Sequence, residues 1–149
     1  MFKFHKASDI EKLISALECS SGFYEFLSRN CTNFFLQRIY RSGFELRQSS
    51  INVLQDFLYQ DQSNASLKVD DHRIRRLRES YLVIMRMYKG DELEDFIKEL
   101  VYTEKLLTSL FSSNLLVSRR SDLTVSLAEV VRKNRRFQSR VEAVIAVAA

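Results

Sequence analysis

Proline and tryptophan are absent from this 149-residue chain, glycine occurs three times, and cysteine and histidine twice each. The shortage of proline and glycine excludes collagen-like, linker-rich and many-turned all-β architectures and leaves helices as the default. Cys19 and Cys31 lie too far apart in sequence for a zinc or redox pair and are too few for a disulfide framework, so they read as reduced thiols of a cytosolic protein. No stretch reaches the roughly 18 apolar residues of a membrane span, and residues 1–9 lack the apolar segment of a signal peptide. Ser20-Ser21 and Ser112-Ser113 have no positioned histidine, and no Gly-rich phosphate loop follows a strand. Nucleophilic hydrolysis and nucleotide binding therefore lack their parts.

What remains is 46% hydrophobic and 28% charged, with a formal net charge of +4. A chain of this length buries roughly two-thirds of its unfolded surface, enough for one domain spanning 1–149 without disulfides or a structural metal. Ser8-Asp9-Ile10-Glu11 has capping-box spacing, and Ile10, Leu13, Ile14, Leu17, Ser21, Tyr24 and Ser28 follow it at helical intervals. This predicts a first helix from Asp9 to Arg29. Thr32 or Asn33 caps a second, ending near Tyr59, whose stripe runs through Leu36, Ile39, Tyr40, Gly43, Arg47, Ser50, Ile51, Leu54, Phe57 and Leu58. After a polar loop over Asp61–Val69, Asp70 or Asp71 caps a shorter third helix with Ile74, Leu77, Tyr81, Met85 and Tyr88 inward, ending at Gly90. Asp91 starts a fourth with Leu93, Phe96, Ile97, Leu100, Glu104, Leu107, Phe111 and Leu115 on one face. Ser121 or Asp122 starts a fifth with Leu123, Leu127, Val130, Asn134, Phe137, Val141, Val144, Ile145 and Ala148. Each long helix is apolar on one side only, so they pack face to face, and the short first-to-second and fourth-to-fifth links favour two antiparallel hairpins. The third helix lies in the crossover between them.

Polar residues on apolar stripes carry the most information, because burying them requires partners. Glu104 falls about 20° from Leu93 in the middle of its helix's inward face, and Arg47 falls about 20° from Leu36 on its own. Glu18 and Glu25 lie toward the edge of the first stripe, and Arg78 at the edge of the third. His72 faces away and His5 precedes the first helix. The simplest reading is a core ionic network in which Glu104 pairs with Arg47 or Arg78 and Glu25 joins. Asn134 reads as a core amide that fixes helix register.

The order of elements, with Asp9–Leu27 (DIEKLISALECSSGFYEFL), Glu45–Leu54 (ELRQSSINVL) and Gly90–Leu110 (GDELEDFIKELVYTEKLLTSL), resembles the uncharacterised bacterial ferritin-like four-helix-bundle proteins. The resemblance implies a ferritin-like antiparallel four-helix bundle with a shorter extra helix in the crossover. It also implies candidate metal-binding positions at Glu25 and Glu104. Dinuclear carboxylate bundles hold iron or manganese with a Glu from each of two helices and a Glu-x-x-His from each of the other two. Here no Glu-x-x-His occurs, and Glu18, Glu25 and Glu104 are the available carboxylates.

Charge is uneven: residues 1–71 carry 8 basic and 9 acidic side chains, residues 72–149 carry 15 and 10. Arg73, Arg75, Arg76 and Arg78 open the third helix, and Arg132, Lys133, Arg135, Arg136 and Arg140 crowd the fifth. The latter form a solvated basic face first and a nucleic-acid footprint second, since no nucleic-acid-binding motif accompanies them. Phe2, Phe4, Phe34, Phe35 and Phe44 exceed what one helix face buries, which points to a homodimer contact, a protein partner or packing of the N-terminal arm. The expected function is a non-enzymatic cytoplasmic protein with a binding or structural role and an ionic core in place of a metal centre. An iron or manganese carboxylate protein with atypical ligands is the first alternative, and a basic nucleic-acid-binding bundle the second.

Overall fold

Ser8 opens the first helix in both directions: its Oγ accepts from the Glu11 N–H at 3.2 Å while the Glu11 carboxylate accepts from the Ser8 N–H at 3.3 Å. Two N–H groups that a helix start would leave unpaired are thereby satisfied. Asn33 accepts from the Leu36 N–H at 3.1 Å, and Asp70 from the His72 N–H at 2.9 Å; between the candidate caps, these are the two that act. The computed structural model describes residues 8–58, 67–88, 94–117 and 121–148. Among the described residues there are five helices and no strand: α1 (Asp9–Asn30), α2 (Phe34–Gln55), α3 (Asp71–Met87), α4 (Glu94–Val117) and α5 (Ser121–Ala148). The all-α expectation holds.

Side-chain pairings give the directions. Gln37 reaches Ser28 and Arg47 reaches Ser20, so α1 and α2 are antiparallel. Thr108 bonds Gln138 and Arg135 bonds Ser112, which makes α4 and α5 antiparallel too. α3 runs parallel to α1, with Arg78 against Ser15 and Tyr81 against Phe23, and antiparallel to α4, with Arg73 on Ser113 and Ser80 on Thr103. It carries the chain back along the bundle and packs on both α1 and α4, so the crossover helix is also part of the wall. α2 against α5 closes the ring.

The interior is filled by Leu13, Leu17, Phe23, Tyr24, Leu27, Ile39, Tyr40, Leu54, Phe96, Leu100, Leu107, Phe111, Leu127 and Val141, all buried. Gly43 sets the spacing of α2 and α5: a Cβ there would stand 2.5 Å from Phe137 Cζ and 3.1 Å from Tyr24 Cδ1. Glycine in mid-helix costs about 1 kcal/mol against alanine, and here it admits the Phe137 ring. That ring meets Tyr24 edge-on with centroids 5.3 Å apart.

Three helix ends differ from the sequence reading, that of α1 by the single residue Asn30. α2 stops at Gln55, although Phe57 in the turn beyond it is still buried. α3 stops at Met87 with Tyr88 as its C-cap, and its inward stripe closes on Ile84, which is buried, while Met85 is only half-buried. Phe2, Phe4, His5, Tyr59, Gly90, Asp91, Leu93 and the side chains of Leu115, Val144, Ile145 and Ala148 lie outside the described residues.

Candidate functional site

The polar residues that the stripes bury meet at one place. Arg47 from α2 and Glu104 from α4 are both fully buried and form an ion pair through Arg47 Nη2 and Glu104 Oε2. Each nitrogen of the guanidinium has its own acceptor: Nη2 on Glu104, Nη1 on Asn134 Oδ1 from α5, and Nε on Ser20 Oγ from α1 at 2.8 Å. The second carboxylate oxygen of Glu104 accepts from Tyr24 Oη at 2.5 Å. Asn134 Nδ2 donates to the Val130 carbonyl at 2.6 Å and to Ser50 Oγ at 3.4 Å. The guanidinium carbon also lies 5.7 Å from the Tyr24 ring centroid and 5.2 Å from that of Phe137, inside the range of cation–π attraction.

These contacts answer the cost of taking charge out of water. A buried ion pair holds only when its remaining donors and lone pairs are also met, and here α1 and α5 supply the groups that meet them. The electrostatics agree. Burial works against the charge on Arg47, but the Glu104 carboxylate together with the Tyr81 and Tyr24 phenols outweighs it, and the guanidinium pKa lies above its ordinary value. Burial, and then the Glu104 carboxylate, push the Tyr24 hydroxyl well above the ordinary phenol value, so it stays a donor. Burial and Glu104 raise Tyr81 in the same way. Its hydroxyl is buried on α3 and has no hydrogen-bond partner among the described residues.

Two residues expected in the network stand outside it. Arg78 is exposed and reaches Ser15 Oγ at 3.3 Å, because the α3 stripe centres on Ile74, Leu77, Tyr81 and Ile84 and turns position 78 to solvent. Glu25 is 39% exposed and pairs with Arg29 one turn along α1 at 2.5 Å. Glu18 is exposed, so Glu18, Glu25 and Glu104 do not converge. Among the described residues no group of three His, Cys, Asp or Glu side chains is placed to hold a metal ion. Conversely, Ser20 and the hydroxyl of Tyr24 were not read as partners. Their signal was present: Leu17, Ser20 and Tyr24 are spaced three and four apart on the inward face of α1, which puts two hydroxyls where a buried Arg and Glu need them.

The basic residues of α5 are exposed and fall into distinct settings. Arg132 pairs with Glu129 at 2.6 Å, which holds that carboxyl below its ordinary value, and Lys133 approaches the same oxygen at 3.7 Å. Arg135 donates to Ser112 Oγ at 3.0 Å. Lys133, Arg136 and Arg140 line a groove against α2. Of the surplus aromatics, Phe34 and Phe35 stand 71% and 56% exposed, whereas Phe44 packs on the core. No helix of the described residues is long and apolar enough to cross a membrane.

No protein-family model, curated protein or solved structure matches this chain. Its role rests on the chemistry of the cluster and of the surface around it.

Proposed function

We propose that this chain is a non-enzymatic, ferritin-like helical-bundle protein of the cytoplasm with a binding or structural role, in which a buried Glu/Arg cluster stands where dinuclear carboxylate bundles carry metal. One observation carries the reading: both oxygens of Glu104 are engaged, one by the Arg47 guanidinium and the other by Tyr24. A metal ion needs several free anionic oxygens or imidazoles around it. Here a permanent organic cation fills the cation's position, and the groups around it are hydroxyls, an amide and aromatic rings. None of these is a general acid or base poised near neutral pH, since both tyrosines nearest Glu104 are held protonated. Such a cluster fixes the register of four helices rather than transforming a substrate.

Function then lies on the surface. The exposed Phe34 and Phe35 at the start of α2 support contact with a second copy or a protein partner. Cysteine usage that matches no disulfide framework supports the cytoplasmic setting of this reading.

The test joins metal content to stability. Protein expressed with iron, manganese and zinc supplied is expected to carry less than stoichiometric amounts of each by elemental mass spectrometry. Glu104→Gln, which leaves Arg47 buried without its counter-charge, is expected to cost about 3–5 kcal/mol. That cost corresponds to a fall in Tm of roughly 6–20 °C for a chain of this size. Stoichiometric metal that disappears in Glu104→Ala, or an unchanged Tm in Glu104→Gln, would overturn the proposal.

A further inference from the structure

We propose that the groove between α2 and α5 binds the phosphate of a small organic phosphate. Lys133, Arg136, Phe137 and Arg140 line it from α5, and Ser42 and Leu46 from α2, around a volume of about 450 Å³. That volume falls in the range of small-molecule sites.

Lys133, Arg136 and Arg140 follow one another at intervals of three and four residues, so their charges project from one face of α5 along the groove. No carboxylate lines it. Arg136 and Arg140 have no ion-pair partner among the described residues, and Lys133 has only Glu129 at 3.7 Å. Arg140 Nη1 already spans the groove to Ser42 Oγ at 3.4 Å, which places a hydroxyl beside the cations. Two guanidinium forks, an ammonium and a hydroxyl match a multiply charged, multiply accepting phosphate better than a single carboxylate. The floor between them is apolar, with Leu46 half-buried and the Phe137 ring buried, and it suits the organic part of such a ligand.

The dimensions favour a small molecule over a nucleic-acid strand. From Lys133 to Arg140 the helix rises only about 10 Å, room for one or two phosphates, and the groove offers no exposed ring on which a base would stack. The donors are side chains on two helices, which is why a search for a Gly-rich phosphate loop passes over them. Phe137 is held at the floor by the notch at Gly43, so the groove depends on the same packing as the interior.

This inference names a ligand class for the binding role proposed above and rests on it. The two fail separately, because the core reading is measured by metal content and the Tm of Glu104→Gln. The experiment titrates the full chain with ADP and with inorganic phosphate by isothermal calorimetry at low salt. ADP is expected to bind in a salt-sensitive manner and more tightly than inorganic phosphate. The double variant R136A/R140A is expected to weaken ADP at least about tenfold, with helical circular dichroism and Tm unchanged. The variant R73A/R75A, which removes the same charge from α3, should leave the affinity as it was. Absence of ADP binding, equal binding by R136A/R140A, or equal loss in R73A/R75A would overturn the proposal. A single-stranded oligonucleotide that binds more tightly than ADP and loses affinity in R136A/R140A would also overturn it, in favour of a nucleic-acid backbone.

Discussion

Arg47 and Arg136 are the same side chain on facing helices, with opposite surroundings. Arg47 is fully buried and every guanidinium nitrogen has an acceptor; Arg136 is exposed and has no ion-pair partner among the described residues. The difference is one of solvation. In water a guanidinium is satisfied by its hydration shell, and an exposed ion-pair neighbour adds little. In the interior the protein has to supply that shell, and it takes residues from the three other long helices, α1, α4 and α5, to do so. The buried arginine therefore reports on the whole bundle, the exposed one only on its own groove.

The largest effect should come from breaking the buried half of this comparison. Arg47→Met removes the cation and leaves Glu104 in the core without its counter-charge, at a cost of about 3–5 kcal/mol in urea denaturation. Arg47→Met with Glu104→Leu removes both charges and should cost less than Arg47→Met alone. A double variant whose loss equals the sum of the two singles would show that the pair is not coupled.

Gly43→Ala comes next. A methyl 2.5 Å from the Phe137 ring forces α5 away from α2, and overpacking of this kind typically costs about 1–3 kcal/mol. The helix-propensity gain of about 1 kcal/mol works the other way. A net loss is expected, relieved by adding Phe137→Leu; stabilisation by Gly43→Ala alone would show that the notch is not tight.

A smaller and more selective effect is alkaline. Tyr24 and Tyr81 both have folded-state values above the ordinary phenol value of about 10. The folded protein keeps protons that the unfolded chain releases, so their contribution is complete below about pH 10 and declines as the pH rises past it. Tyr24→Phe removes one of the two groups. Its urea midpoint should start lower, for want of the bond to Glu104, and fall less steeply than wild type between pH 9 and 11 (a range set about the phenol value). Parallel curves would remove Tyr24 from the cause. Smallest of all, Arg132→Ala, which takes an exposed partner from Glu129, should leave the urea midpoint where it is in wild type.

The central pair and the helices were legible because both follow from period. A polar residue that shares its angle with the apolar residues of a stripe has nowhere to go but inward, which selected Glu104, Arg47 and Asn134. Edge positions were not legible. Glu25 sits beside Tyr24 on the chain, yet a one-turn reach to Arg29 holds it at the surface, and Arg78 turned outward when the α3 stripe closed on Ile84 rather than Met85. Such positions are decided by a few degrees of helix rotation that only neighbouring helices impose. The placement of α3 against both α1 and α4 was equally hidden, since a stripe says that a face is buried and not against which helix. The hydroxyl partners stayed unread because Tyr24 suits an apolar stripe without any polar role and the stripe of the first helix was drawn through Ser21, while the structure buries Ser20 as well.

The direction of α3 has one more consequence. Since α1, α3 and α5 point one way and α2 and α4 the other, the helix dipoles do not cancel in pairs, and one end of the bundle collects three N-termini against two C-termini. Each N-terminus amounts to roughly half a positive charge. Carboxylates stand in the first turn of all three, Asp9 and Glu11 in α1, Asp71 in α3 and Asp122 in α5; at the other end α4 carries Asp95 and α2 has none. Asp9 also accepts from the Val69 N–H at 3.0 Å, and Asp71 meets Lys12 at 2.9 Å. The extra positive end of an odd-numbered bundle is thus met by carboxylates where it arises.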